Sequence, residues 1–188
     1  VVALALALFS SSARGDDPPH AGHAGHDLGI VEFPVSCSPA AQQQFHFALS
    51  LLHHMTYPQA RVEFQRLADD EPACAMAHWG IAMTLFQPLW PTRPSAAEMA
   101  RGLQAVQHAE RLPSTDREKA FIRAAAAFFA GPETFTCWQR IGRWEQAAQA
   151  AYVALPDDSE AALFYALAHL AVAPADQISR AHADRAAE

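Results

Sequence analysis

The abundance of alanine constrains the fold of this chain more than any other feature of its sequence. Alanine fills 42 of the 188 positions, whereas valine, isoleucine and threonine together fill 19. Because alanine is the best helix-forming residue and β-branched residues favour strands, the composition argues against a sandwich, a barrel or a parallel sheet. With 51% hydrophobic and 18% charged residues, the chain also has the composition of a globular protein. We therefore predict an all-α fold.

Helix signals recur from residue 38 to the end of the chain. Ser38 is a good N-cap, Pro39 suits the first helical position, and apolar residues follow at helical spacing. Proline and glycine residues then punctuate the sequence at short intervals. We predict nine short helices joined by tight turns, with one break at Gly142. The later helices are expected at 95–112, 115–129, 134–141, 143–154, 158–172 and 175 onward.

One segment has the residue spacing of the second helix of a tetratricopeptide repeat. Ala60 is small enough for two helices to touch, Phe64 fills the gap to the next helix pair, and Pro72 begins the next helix. The distance from Pro39 to Pro72 is 33 residues, close to the usual period of about 34. A poorer match follows around Tyr152. A non-repetitive helical bundle is the alternative.

Longer motifs in the chain resemble a group of exported bacterial tetratricopeptide-repeat proteins. The resemblance implies a tetratricopeptide-like helical-hairpin solenoid, which is a right-handed superhelix, with more hairpins downstream. It also implies a location outside the cytoplasm, and it brings no reaction with it. The motifs that carry it are Leu28-Gly29-x-Val31-x-Phe33-Pro34-Val35-Ser36-Cys37, Cys74-Ala75-Met76-Ala77-His78-Trp79-Gly80 and Pro156-Asp157-Asp158-Ser159-Glu160-Ala161-Ala162.

The start of the chain is typical of an exported protein. Nine apolar residues are followed by Ser11 and Ala13, small residues at the spacing of a signal-peptidase site. We interpret 1–15 as the remnant of a signal peptide, with a buried N-terminal helix as the alternative. Residues 16–33 are then a His-rich disordered linker and lead-in, and 34–188 a tetratricopeptide-like helical domain truncated at its C-terminal end. The mature protein is expected in the periplasm or cell envelope, without a transmembrane segment.

The three cysteines of the chain fit neither a C-x-x-C motif nor a zinc-binding spacing. Disulfides form readily in exported proteins, and Cys37 and Cys74 each lie beside the predicted start of one of two neighbouring helices. We therefore favour a Cys37–Cys74 disulfide, with Cys137 as a buried thiol. Three unbonded buried cysteines are the alternative.

A polar face of the first helix is the candidate binding surface. In a tetratricopeptide-like solenoid the first helix of each hairpin lines the concave groove, so this face would meet a protein or peptide partner. A metal site on the same face would need a ligand from another helix. The residues of the face are Gln42, Gln43, His46, Ser50 and His53.

A second candidate site lies in the linker, where His20, His23 and His26 alternate with Ala-Gly pairs. Neutral imidazoles on a flexible backbone can bind Cu²⁺, Zn²⁺ or Ni²⁺. A solvated linker without a ligand is the alternative. No other cofactor is predicted.

The motifs that the sequence lacks narrow the function. It has no G-x-S-x-G, P-loop, H-E-x-x-H or C-x-x-C-H pattern, so no enzymatic reaction is predicted. A net charge of −7 without a basic patch argues against a nucleic-acid partner. We expect a protein-interaction scaffold of the bacterial cell envelope. The alternative function is a periplasmic metal-handling protein that uses the His-rich segment.

Overall fold

The computed structural model describes residues 28–90 and 92–173, and this part of the chain is all-helical. It contains seven α-helices and no strand, so the all-α prediction is confirmed. None of the seven helices combines the length and the apolarity needed to cross a membrane. The helices are α1 (Pro39–His53), α2 (Tyr57–Asp70), α3 (Ala75–Met83), α4 (Ala96–Arg111), α5 (Asp116–Phe129), α6 (Cys137–Ala154) and α7 (Ser159–Ala171).

The predicted break at Gly142 is wrong, because α6 runs without interruption through the two segments expected at 134–141 and 143–154. A glycine inside a helix costs only about 1 kcal/mol relative to alanine. Ile141 and Trp144, on either side of Gly142, are both buried, and their burial holds the helix together. The helix expected from 175 onward lies outside the described residues, as do the proposed signal remnant and most of the linker.

Local signals fix where the helices begin. The side chain of Ser38 accepts a hydrogen bond from the amide of Ala41 at the start of α1. Helices α4, α5 and α6 each begin with a capping box, in which the cap side chain and the side chain three residues later satisfy each other's backbone amides. The three boxes are Ser95/Glu98, Thr115/Glu118 and Thr136/Gln139.

Packing is centred on α3. Each helix contacts the next one along the chain, and α3 also contacts α1 and α5. Every residue of α3 except His78 is buried, as expected for a helix that is apolar all round. Gly80 lets the Phe64 ring lie directly on the backbone of α3, because a Cβ at this position would overlap the ring.

Two aromatic clusters lie in the core. The Phe33 cluster joins the segment before α1 to helices α1, α2, α3, α5 and α7. The Phe86 cluster joins the end of α3 to α5 and α6. The first cluster consists of Phe33, Phe45, Phe64, Trp79, Phe121 and Phe164, and the second of Phe86, Phe128, Phe129 and Trp144.

Candidate functional site

The candidate site is the groove between α1, α3 and α5, where a non-helical segment of the chain lies. This segment, residues 28–36, is called the lead-in here. Its Phe33 side chain is completely buried. The Phe33 ring centroid lies 5.2 Å from that of Phe45 in α1, 5.8 Å from Trp79 in α3 and 4.8 Å from Phe121 in α5. Three helices therefore enclose one side chain of the lead-in.

A glutamine of α1 binds the main chain of the lead-in. The Gln42 Oε1 atom accepts a hydrogen bond from the Val35 amide at 2.8 Å, and Nε2 donates to the Phe33 carbonyl at 2.8 Å. One turn further along α1, the Nε2 atom of His46 accepts from the Phe33 amide at 3.3 Å. Because these contacts involve main-chain atoms of the lead-in, they fix its register and do not depend on the identity of its side chains.

Glu118 of α5 binds the other end of the lead-in. Its Oε1 accepts from the Ser36 amide and its Oε2 from the Ser36 hydroxyl, both at 2.7 Å. Glu118 is also part of the capping box of α5, where it lies three residues after the cap residue Thr115. Burial by itself would raise the pKa of this carboxyl, but the hydrogen bonds from Ser36 and Thr115 outweigh it and leave the pKa below its usual value. Glu118 is therefore held as a buried carboxylate.

Arg117 joins the lead-in to α7. Its guanidinium lies 3.9 Å from the centroid of the Phe33 ring and donates a hydrogen bond to the Pro34 carbonyl at 3.1 Å. It also forms an ion pair with Asp158, the N-cap of α7. Burial would raise the pKa of Asp158, whereas the Arg117 contact and the amide of Ala161 lower it, and the pKa falls below its usual value.

A disulfide anchors the base of the lead-in. Cys37 is bonded to Cys74, with the two Cα atoms 5.3 Å apart, so the chain just before α1 is tied to the residue that precedes α3. The cap residue Ser38 hydrogen-bonds Glu71 through both its amide and its hydroxyl. This is the pairing favoured from the sequence, and Cys137 is the remaining free thiol.

The five polar residues predicted to line an open groove have different surroundings in the structure. Gln42 and His46 hold the lead-in, and Ser50 is buried and donates its hydroxyl to the main-chain carbonyl of His46. The Nε2 atom of His53 lies 3.0 Å from Oε2 of Glu160 in α7. Gln43 is exposed. Most of this face is therefore engaged by the chain itself.

Sequence reasoning missed the residues of α5 and α7 that complete the groove. Thr115-x-x-Glu118 is readable as a capping box, but the sequence gives no sign that the same carboxylate also binds Ser36, which is 82 residues away. Nor does it show that Arg117 and Asp158 meet. Such partners become visible only when distant parts of the chain are brought together.

A larger cavity of ≈ 480 Å³ lies beside the Phe86 cluster, between α4, the end of α5 and the start of α6. Arg140 is buried there and donates to the carbonyls of Phe128 and Phe129, so it caps the C-terminal end of α5. Burial raises the pKa of the Cys137 thiol, against the opposing charges of Arg93 and Arg140. The thiol is therefore not activated.

The His20, His23 and His26 set lies outside the described residues. Within 28–90 and 92–173, no group of three or more histidine, cysteine, aspartate or glutamate side chains is placed to hold a metal ion. No protein-family model, curated protein or solved structure matches the chain.

Proposed function

We propose that the protein is an interaction scaffold of the bacterial cell envelope, whose concave groove binds a non-helical protein or peptide segment. One observation carries this proposal: the Gln42 side-chain amide makes two hydrogen bonds to the main chain of the lead-in, at Phe33 and Val35. A groove that holds a polypeptide by its backbone suits a partner segment that presents one apolar side chain to the Phe33 position. In this chain the lead-in occupies the position that the partner segment would take.

The architecture that fits this role is a tetratricopeptide-like solenoid, a right-handed superhelix of helical hairpins. Three observations support it. Consecutive helices pack on each other, α3 contacts both α1 and α5, and the signature residues Ala60 and Phe64 are completely buried. In such a solenoid α1, α3, α5 and α7 would be the first helices of successive hairpins and would line the groove.

Two observations support a location in the periplasm or envelope. The Cys37–Cys74 disulfide is a bond that persists in oxidising compartments. The apolar start of the sequence, followed by small residues, has the pattern of an export signal. Metal handling by His20, His23 and His26 remains the alternative function, and it would need the linker rather than the groove.

The groove can be tested with a peptide that copies the lead-in. A labelled peptide with the sequence of residues 28–36 should bind the Phe33→Ala variant, whose own lead-in has lost its anchor, and should bind the wild-type chain at least tenfold more weakly. The peptide should also raise the melting temperature of the variant, because a ligand stabilises the folded state it binds. A peptide in which alanine replaces the phenylalanine is the matched control. Equal binding of both peptides, or no binding to the folded variant, would refute a peptide groove.

A further inference from the structure

A second, smaller cavity lies at the other end of α1. Its volume is ≈ 160 Å³, and its walls come from the end of α1, the end of α3 and the middle of α7. Most of its lining is apolar, including Leu52 and Phe164. Three side chains in the lining can bind a metal ion: the imidazole of His53 and the thioethers of Met55 and Met83.

We propose that this cavity is a binding site for a soft monovalent metal ion, Cu⁺, held by His53, Met55 and Met83. Thioether sulfur selects soft cations such as Cu⁺ over Zn²⁺ or Mg²⁺, and imidazole is a good copper ligand as well. One imidazole and two thioethers supply three donors in the lining of a largely apolar pocket that is partly open to solvent. The site uses none of the linker histidines and does not depend on the peptide groove.

The contact between His53 and α7 prepares the imidazole for this role. His53 Nε2 lies 3.0 Å from Oε2 of Glu160, and both atoms are buried without a hydrogen-bond partner among the described residues. The second ring nitrogen, Nδ1, makes no hydrogen bond within the same part of the chain. A carboxylate beside a metal-binding histidine fixes the orientation and tautomer of the ring. At 3.0 Å from Nε2, Glu160 is close enough to take this role, which leaves Nδ1 as the metal ligand.

Glu160 also supplies the charge that the site needs. Its side chain is only 7% exposed, and among the described residues the one basic side chain within 4 Å of its carboxylate is His53. A buried carboxylate is costly unless a positive charge lies near it. A monovalent cation next to the imidazole would balance this charge, so that the ion and the carboxylate together are neutral within the apolar enclosure.

Met55 has an unusual backbone conformation for a residue with a side chain. Met55 has φ of 57°, in the left-handed region that favours glycine. It follows the α1 C-cap in a Schellman motif, where the amide of Thr56 donates to the Leu51 carbonyl at 3.0 Å. Glycine is the usual residue at this position, so the helix end alone does not call for methionine. The place of the Met55 side chain in the lining of the cavity gives methionine a role at this position.

The test is silver titration of the full chain carrying ¹³C-methyl methionine, with Ag⁺ as a redox-inert substitute for Cu⁺. The chain has four methionines, so Met76 and Met99 serve as internal references. Cys137→Ser is introduced in every arm, because a free thiol would compete for silver. We expect the methyl signals of Met55 and Met83 to shift together and to saturate at one equivalent, while those of Met76 and Met99 stay in place. Zn²⁺ should leave all four unchanged.

Variants separate metal binding from folding. Met55→Gly removes one thioether and relieves the left-handed backbone, so it should fold at least as well as the parent and bind Ag⁺ at least tenfold more weakly. Met83→Leu should weaken binding to a similar extent, whereas Met99→Leu, in the other cavity, should not. Glu160→Gln should weaken binding by about ten- to hundredfold through the orientation of His53.

Three results would overturn the site. The first is an unchanged pair of Met55 and Met83 methyl signals at excess Ag⁺. The second is saturable binding that Met55→Gly leaves intact. The third is a response of the two methyl groups to Zn²⁺ as strong as that to Ag⁺, because a soft-donor site should discriminate between the two ions.

Discussion

The Phe33 and Phe86 clusters have similar chemistry but different origins. In the Phe86 cluster, the central ring lies three residues after the end of α3, and it stacks on Phe128 with 4.1 Å between centroids. In the Phe33 cluster, a ring from the non-helical lead-in is enclosed by helices α1, α3 and α5. The Phe33 region is filled by the chain's own lead-in, and the cavity at its Phe164 edge is only ≈ 160 Å³, whereas the cavity beside the Phe86 cluster is ≈ 480 Å³.

The two clusters also differ in how far apart their contacting residues lie in the sequence. The contacts of Phe33 with Phe121, and of Ser36 with Glu118, join parts of the chain more than 80 residues apart. The lead-in therefore depends on contacts with helices α1, α3 and α5. The residues of the Phe86 cluster lie closer together in the sequence. We therefore expect the lead-in to be the more sensitive of the two regions to changes at distant residues.

The largest effect should come from Phe33→Ala. Removing a fully buried phenylalanine should lower the free energy of unfolding by about 3–5 kcal/mol. Phe86→Ala is the matched control and should cost a similar amount, but only Phe33→Ala should raise hydrogen exchange across residues 28–36. Urea denaturation and exchange mass spectrometry measure the two effects. A loss below about 1 kcal/mol for Phe33→Ala would mean that the lead-in is not part of the core.

The next effect concerns the disulfide at the base of the lead-in. The bond between Cys37 and Cys74 spans 37 residues, so its loss should lower stability by about 3–4 kcal/mol on the chain-entropy estimate. The double variant Cys37→Ser/Cys74→Ser should therefore melt earlier than the wild type, and Cys137→Ser should change the melting temperature much less. In periplasmically expressed, non-reduced protein, Cys37 and Cys74 should resist alkylation. Free alkylation of both would show that the pair is not formed.

Glu118 should make the Phe33 region sensitive to pH. Its pKa is lowered in the folded state, so the contribution to stability is fully present above the pKa of the unfolded carboxyl, about 4.3, and disappears as the pH falls through the folded-state pKa. Glu118→Gln should cost about 1.5–3 kcal/mol at pH 7.

The measurement is the free energy of unfolding of both proteins at intervals from pH 7 to pH 3. The difference between them should shrink as the solution becomes acidic, because the wild-type carboxylate then becomes protonated. A difference that stays constant down to pH 3 would contradict the role of the Glu118 charge.

The smallest effects distinguish three glycines that lie in helices. A Cβ at Gly80 would overlap the Phe64 ring, and Gly80→Ala should cost about 1–3 kcal/mol from overpacking. Gly102→Ala should also be unfavourable, because a Cβ there would overlap the Phe129 ring of the other cluster. Nothing lies within 4 Å of a Cβ at Gly142, so Gly142→Ala should stabilise α6 by about 0.5–1 kcal/mol. Thermal denaturation of the three variants checks the order, and a destabilised Gly142→Ala protein would contradict it.

The sequence by itself determined the helical class and most of the helix starts. Cap residues such as Ser38, Ser95 and Thr115 act within three or four positions, so their signals can be read locally. The same local reasoning failed at Gly142, because the burial of Ile141 and Trp144 decided whether that helix continues. A glycine on its own is a weak signal once the flanking side chains are buried.

The tertiary structure alone decided what occupies the groove. Gln42 and His46 have the polarity of residues that meet a partner, and they do contact a polypeptide, but it is residues 33–35 of the same chain. Glu118 has a cap signature that the sequence displays and a second partner, Ser36, that it does not. The physical reason is range: helix propensity and capping depend on neighbours a few residues away, whereas burial and side-chain pairing depend on segments that only folding brings together.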